Sequence, residues 1–302
     1  MILKKLILIL KGILFGASNL IPGASGGTTL VACGIYEDTI NSISGLKSNF
    51  KKSIIFLLFL LIGTAIGVIS GSLLIKKVLL ASIPFITYCI FGGFIIGSLP
   101  NIIAPHIKKF KPIYIIGFII SLAIAIGLAI IAINLHKDTI VFGDDLSIID
   151  YILLFVCGFV GIFAMLIPGV SGILIFLILG YYNLFMDAIN NLFHLSTILD
   201  AIKICLPVGL GILVGIIPAA LLIRLLLKKF PTGIYFCIFG FVIGSIIDLY
   251  ISYFNQYEMP DVLNWVLGAV ALISFTVLSY IIIKISNNRM EKENEKEDIN
   301  NN

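Results

Sequence analysis

Long apolar runs separated by short polar clusters set the pattern of this chain. Six unbroken runs, residues 53–75, 85–103, 113–135, 204–227, 234–250 and 262–283, are each long enough for a bilayer-crossing helix, which takes roughly 20 mostly apolar residues. Two further runs are apolar but interrupted in the middle. One reads 6–21, then PGASGG, then 28–43; the other reads 149–167, then PGVSG, then 173–189. From Ser286 the chain ends in a charged stretch containing NRMEKENEKEDINNN, whose composition predicts a disordered tail.

The two interrupted runs match each other. IPGASGG starts at Ile21 and IPGVSG at Ile167, 146 residues on, and the same offset pairs Gly12 with Gly158, Ser25 with Ser171, Gly34 with Gly180 and Tyr36 with Tyr182. Further along, CIFGGFIIGS from Cys89 answers CIFGFVIGS from Cys237, and Gly63 and Gly67 answer Gly211 and Gly215. Several separated blocks holding nearly one offset indicate a duplicated unit. The predicted fold is therefore an all-α polytopic membrane protein built as an inverted repeat, each half one re-entrant broken helical hairpin plus three transmembrane helices. Its parts are a first repeat over 1–135 (hairpin 6–43), an acidic extracytoplasmic loop over 136–148, a second repeat over 149–285 (hairpin 149–189) and a cytoplasmic tail over 286–302.

Composition makes the membrane assignment firm. Of 302 residues 60% are hydrophobic and 12% charged, against about 25% charged in soluble domains. A water-soluble fold could not hide that much apolar surface. The net charge of +4 is modest and carries no basic–aromatic stripe, so nucleic acid is not an expected partner. The five cysteines lie singly in apolar runs and the three histidines in different loops, so neither a disulfide framework nor a metal site is expected. No cofactor is expected either. Lys4 and Lys5 before ILIL could open a signal peptide, but Lys11 interrupts the run and the segment recurs later, which reads as mature structure.

Charge orients the two copies. With a cytoplasmic N-terminus and both hairpins returning to the side they enter from, all of the 20 lysines and arginines except Lys76, Lys77, Lys137 and Lys203 fall inside, as the positive-inside rule requires. Both termini are then cytoplasmic, and the hairpins open toward opposite faces. Equivalent helix breaks in opposed halves are the best sequence pointer to a transporter's site.

Proline and glycine at midspan are tolerated only where backbone is buried in protein or lines a wet cavity. After each PGxSG turn a new helix starts, with free N–H groups and the positive end of its dipole. Ser25, Gly26, Gly27 and Thr28, with Ser171 and Gly172, are the candidate anion-binding residues, while Pro22, Gly23, Pro168 and Gly169 shape the turns. Glycines at four-residue spacing (Gly63, Gly67, Gly71, Gly209, Gly211, Gly215) read as helix-packing positions instead. Few charges approach the bilayer interior. Glu37 and Arg224 are candidates for gating or charge pairing, with snorkelling or capping as the bland readings. Asp187, Asp200 and Asp248 read as interfacial.

GILFGASNLIPGASGGTTLVACGIYEDTI (Gly12–Ile40) and AMLIPGVSGILIFLILGYYNLFMDAI (Ala164–Ile189) resemble the bacterial polyprenyl-phosphate transporter family, PopT. The resemblance covers the chain up to about residue 283. It implies a non-enzymatic plasma-membrane carrier, a flippase that returns undecaprenyl phosphate to the cytoplasmic leaflet for reuse in peptidoglycan and other envelope polymers. The implied partners are a polyprenyl phosphate lipid and the bilayer. Proton coupling and a homo-oligomer are compatible with it. Two positions depart from the family pattern: Asn19 stands where many relatives carry an acid, which argues against a carboxylate proton step there, and Ile173 stands where a small polar residue is usual. Two other classes fit parts of the pattern. Membrane-embedded polyprenyl pyrophosphate phosphatases are similar in having inverted repeats and a PGxS turn, but no Arg or His stands beside these serines and phosphoryl hydrolysis needs such charge clamps. A small soluble-anion transporter would share the pocket and differ in lateral access.

Overall fold

The computed structural model describes residues 2–19, 25–71, 82–134, 142–143, 145–192, 194 and 196–301. Pro22 and Gly23 of the first turn, and Lys76, Lys77 and Lys137, three of the four exceptions to the charge rule, lie outside the described residues. The described residues are all-α, with no strand among them. They form α1 (Ile2–Ser18), α2 (Gly26–Ala32), α3 (Tyr36–Ser44), α4 (Phe50–Gly71), α5 (Pro84–Ile107), α6 (Ile113–Asn134), α7 (Ile148–Leu166), α8 (Ile173–Leu179), α9 (Tyr182–Asn191), α10 (Ile198–Lys229), α11 (Pro231–Gln256) and α12 (Val262–Asn301).

Seven of these are long and apolar enough to cross a membrane: α4, α5, α6, α7, α10, α11 and α12 as far as Ile285. Six correspond to the unbroken runs of the sequence. The seventh, α7, is the first limb of the second interrupted run: its 19 residues rise about 28 Å, close to the hydrocarbon thickness by themselves. A capping box opens it. The Ser147 hydroxyl accepts from the Asp150 amide and the Asp150 carboxylate accepts from the Ser147 amide, while Tyr181 O–H donates to the same carboxylate at 2.7 Å. α12 stays helical beyond Ile285 through the charged tail, where composition indicates disorder; its interleaved Glu and Lys residues suit a helix.

Four parallel helix pairs make the bundle: α1 with α4, α7 with α10, α5 with α12 and α6 with α11. Glycine lets each pair approach. An added Cβ on Gly16 would collide with the Thr64 carbonyl, on Gly63 with that of Ile9, on Gly158 with that of Val208, and on Gly211 with that of Phe155. Gly97 lies in the same way on the Thr276 carbonyl and Gly240 on Phe118. The packing reading of Gly63, Gly67, Gly211 and Gly215 follows from these contacts, whereas Gly209 faces open space. Two of the pairs join the first limb of an interrupted run to the next span; the other two cross between the halves of the chain.

Helix direction sorts the charges. Lys51, Lys52, Lys108, Lys109, Lys228 and Lys229 gather where α4, α6 and α11 begin, and this is called the basic end. Asp145, Asp150, Asp200, Glu258 and Asp261 lie at the opposite, acidic end. Between the ends, the largest buried cluster gathers α2 and α3 with α10 and α11. That places the first glycine corner's return limb in the middle of the molecule.

Candidate functional site

The first corner is enclosed. All seven residues of α2 are buried, and Thr28 has no exposed surface. Ser25 has the extended backbone of an N-cap (φ −92°, ψ 133°), yet its side chain does not cap its own helix. It crosses to the other half of the chain, donating to the Val170 carbonyl at 3.1 Å. The first amides of α2 therefore receive no hydroxyl from their N-cap, though helix geometry leaves them without intrahelical acceptors. Thr28 donates to the Ser245 hydroxyl of α11 at 3.2 Å, and Thr29 to Ser18 at the end of α1 at 2.8 Å.

Two glycines let this corner close. A Cβ on Gly27 would lie 3.0 Å from the Met165 carbonyl oxygen and from the Pro168 Cα, so α2 touches the second corner's backbone directly. A Cβ on Gly26 would press on the Phe15 ring and the Asn19 side chain at 2.8–2.9 Å. Asn19, exposed, donates to the Phe15 carbonyl and sits beside the first turn of α2. Just after α2 the chain reverses at Gly34, whose φ of +65° is a left-handed value that glycine adopts without strain. Tyr36 then donates to the Leu166 carbonyl at 2.9 Å, a second tie to the end of α7.

The second corner is built from equivalent residues and sits differently. Pro168 is fully buried and Gly169 has φ +84°, with its α-carbon against the Phe241 carbonyl of α11. Beyond it the corner opens: Ser171 is exposed and Gly172 is half-buried against the Gly161 carbonyl. α8 packs on α7, α9 and α6, whereas α2 packs on α1, α3, α5 and α7. Val170 and Ser25 thus join the corners, while Ser171 faces away from the closed side.

The outlying candidates gather at the basic end. Glu37 accepts from Tyr235 O–H of α11, and the His106 ring of α5 stacks on Tyr235 at 4.0 Å. Arg224 Nη1 donates to Ser44 Oγ at 3.4 Å, linking α10 to α3. Both groups tie the first hairpin's foot to the second half of the chain. Beside them, burial pushes the Asp38 carboxyl above the usual carboxylate range, with Lys11 opposing that shift.

Three participants escape sequence reasoning. Ser245, which receives Thr28, closes the duplicated CIFGFVIGS block, so the duplication marks it. Tyr36 is visible only as a repeat-matched residue. Asp248, which reads as interfacial in sequence, lies within α11 two turns before the helix ends at Gln256.

With the geometry in hand, comparison places the chain. A family model described as undecaprenyl phosphate translocase-like, of the VCA0040-like family, matches residues 15–262. The chain belongs to that family. The polyprenyl-phosphate transporter of Staphylococcus aureus is 31% identical over 294 residues, covering 96% of this chain and 99% of the relative. The polyprenyl-phosphate transporter of Vibrio cholerae is 25% identical over 251 residues, covering 78% and 75%. Both relatives are named as transporters and neither as an enzyme. No solved structure matches the chain.

Proposed function

We propose that this family member moves a polyprenyl phosphate, undecaprenyl phosphate in a bacterial plasma membrane, from the outer to the cytoplasmic leaflet. The two corners touch here; when they part, the phosphate head group rests between them while the polyprenyl tail stays in lipid. Head-group contacts come from the first amides of α2 at Gly26, Gly27 and Thr28, from the Ser25 hydroxyl once it leaves the Val170 carbonyl, and from Ser171 and Gly172 on the exposed side. Pro168 and Gly169 hold the backbone of the second corner in shape. The observation that carries the reading is the Ser25–Val170 hydrogen bond across the two corners, made by a serine that leaves its own buried helix start uncapped. Buried donors near a helix's positive end suit an anion, and an unassisted phosphate would meet a desolvation cost of several kcal/mol or more in hydrocarbon.

An inverted repeat suits alternating access, and the unlike packing of α2 and α8 supports reading this arrangement as one of two exchangeable ones. Closing one corner while the other opens exposes the head group to each leaflet in turn. The wild-type protein in proteoliposomes, given a fluorescent short-chain polyprenyl monophosphate, is expected to equilibrate the probe between leaflets. Excess inorganic phosphate should not compete. Uptake of inorganic phosphate uncompeted by the lipid would favour a soluble-anion carrier, and phosphate release from a polyprenyl pyrophosphate would favour hydrolysis; either outcome overturns the reading.

A further inference from the structure

Asp248 is a carboxylate within a transmembrane helix, a costly position that ordinarily marks function. It lies three residues after Ser245, the acceptor of the Thr28 hydroxyl, so it stands on the same face of α11 about 4.5 Å nearer the acidic end. One turn below Ser245, the Phe241 carbonyl abuts Gly169 of the second corner. Asp248 therefore stands about one turn beyond the stretch of α11 that meets both corners. The hydroxyl of Ser252 approaches the carboxylate only at 3.4 Å.

A second observation points at the same place. The Tyr88 ring of α5 has no exposed surface, and its hydroxyl is buried without a hydrogen-bond partner. Tyr88 packs against Tyr253 and Tyr257 with ring centroids 5.4 and 6.2 Å away, and lies within electrostatic reach of Asp248. An orphaned buried hydroxyl is unfavourable in one conformation and explicable if it finds an acceptor in another. The remaining titratable neighbours are Cys89 on α5 with Tyr250 and Tyr253 on α11 itself. α2 offers none, and α6 faces this part of α11 with Phe118, Ser121, Leu122 and Ala125. The charged residues of α10, Asp200, Lys203, Arg224, Lys228 and Lys229, lie toward its ends. At the matching position of the other half, three residues after Ser98, stands Asn101, whose amide is also buried without a partner. Only one half carries the acid there.

We infer that Asp248 is a proton-binding site coupled to the head-group cradle, so that a proton enters with each lipid phosphate. This deepens the proposed function and rests on it. Two negative charges about one helical turn apart, out of water, oppose each other by on the order of tenfold in affinity. The cradle therefore takes the anion best when Asp248 is neutral, and by linkage the bound anion holds the proton on Asp248. Inward return of a phosphate anion also runs against an inside-negative potential, by about fiftyfold per 100 mV for one charge. A proton picked up from the outer face and released to the cytoplasm removes that opposition. The Tyr88 hydroxyl is the donor that meets the carboxylate once it is ionised.

Two arms separate this inference from the function beneath it. In detergent, wild-type affinity for the short-chain polyprenyl monophosphate should fall about tenfold from pH 6 to pH 8, with proton uptake on binding; Asp248→Asn should bind with little pH dependence and no uptake. In proteoliposomes, an outward-acid gradient should accelerate inward movement several-fold for wild type and for Asp248→Glu, while Asp248→Asn equilibrates the probe but ignores the gradient. Tyr88→Phe should move the binding transition to higher pH. Wild type that neither binds nor moves the probe overturns the function itself, and the inference with it. Wild-type transport with an unchanged gradient response and proton uptake in Asp248→Asn overturns the proton site alone.

Discussion

The two glycine corners come from matched sequence, yet one is shut and the other open. PGASGG leads into a fully buried helix whose serine crosses to the other half of the chain, whereas PGVSG leads into α8 with Ser171 exposed. Local sequence explains part of this. The first corner has Gly27 where the second has Ile173, and only a residue without a side chain can touch the Pro168 backbone as Gly27 does. Thr28 and Thr29 then supply hydroxyls that bond Ser245 and Ser18, while the matching positions of the second corner, Leu174 and Ile175, carry no donor. The first hairpin is thus the polar, docked member of the pair and the second the apolar, looser one. Two near-equal copies in unlike environments suit the alternating-access reading proposed above.

The comparison breaks most severely at the glycines. Gly26→Leu should reduce probe translocation at least about a hundredfold without preventing membrane insertion, because its side chain would occupy the space between Phe15, Asn19 and the start of α2. Gly209→Leu, facing open space on α10, should stay within about twofold of wild type in the same assay. Equal losses in both would mean that bulk, not the corner, matters.

Serine substitutions sharpen the contrast at lower amplitude. Ser25→Ala removes a buried cross-corner hydrogen bond and should weaken head-group binding about tenfold, in line with roughly 1–1.5 kcal/mol for such a bond. Ser171→Ala removes an exposed hydroxyl and should cost about twofold, with the double variant weaker than either; calorimetric titration with the probe lipid checks all three. Smallest is the basic end. Tyr235→Phe leaves Glu37 without its donor on an exposed surface, and should change transport by less than about 1.5-fold.

How far the fold is legible depends on which signal each element carries. Duplicated blocks locate the hairpins, and apolar length locates six spans. The limb α7 escapes the count of spans because PGVSG falls midway along its apolar run, although 19 residues before the turn suffice to cross. Asp248 looks interfacial because hydropathy fades after Tyr250. The helix continues there on Tyr253, Phe254 and polar neighbours, with the amphipathic aromatic side chains that membrane interfaces favour. At the site, spacing names the serines and glycines but not their partners. Val170 contributes a backbone carbonyl, and Ser245 a hydroxyl from a helix 217 residues away in sequence. Val170 leaves no local trace, and Ser245 is marked only by the duplicated block that it closes.

Thiol protection at the open corner tests the central claim most directly. Ser171→Cys can be read against Cys33, Cys89 and Cys157, which are buried, once Cys205 and Cys237 are replaced by alanine. A membrane-impermeant maleimide should label the thiol at position 171 readily in proteoliposomes, and saturating short-chain polyprenyl monophosphate should slow that labelling about tenfold while the uncharged polyprenol does not. Labelling unchanged by the phosphate lipid would contradict a head group resting between the corners.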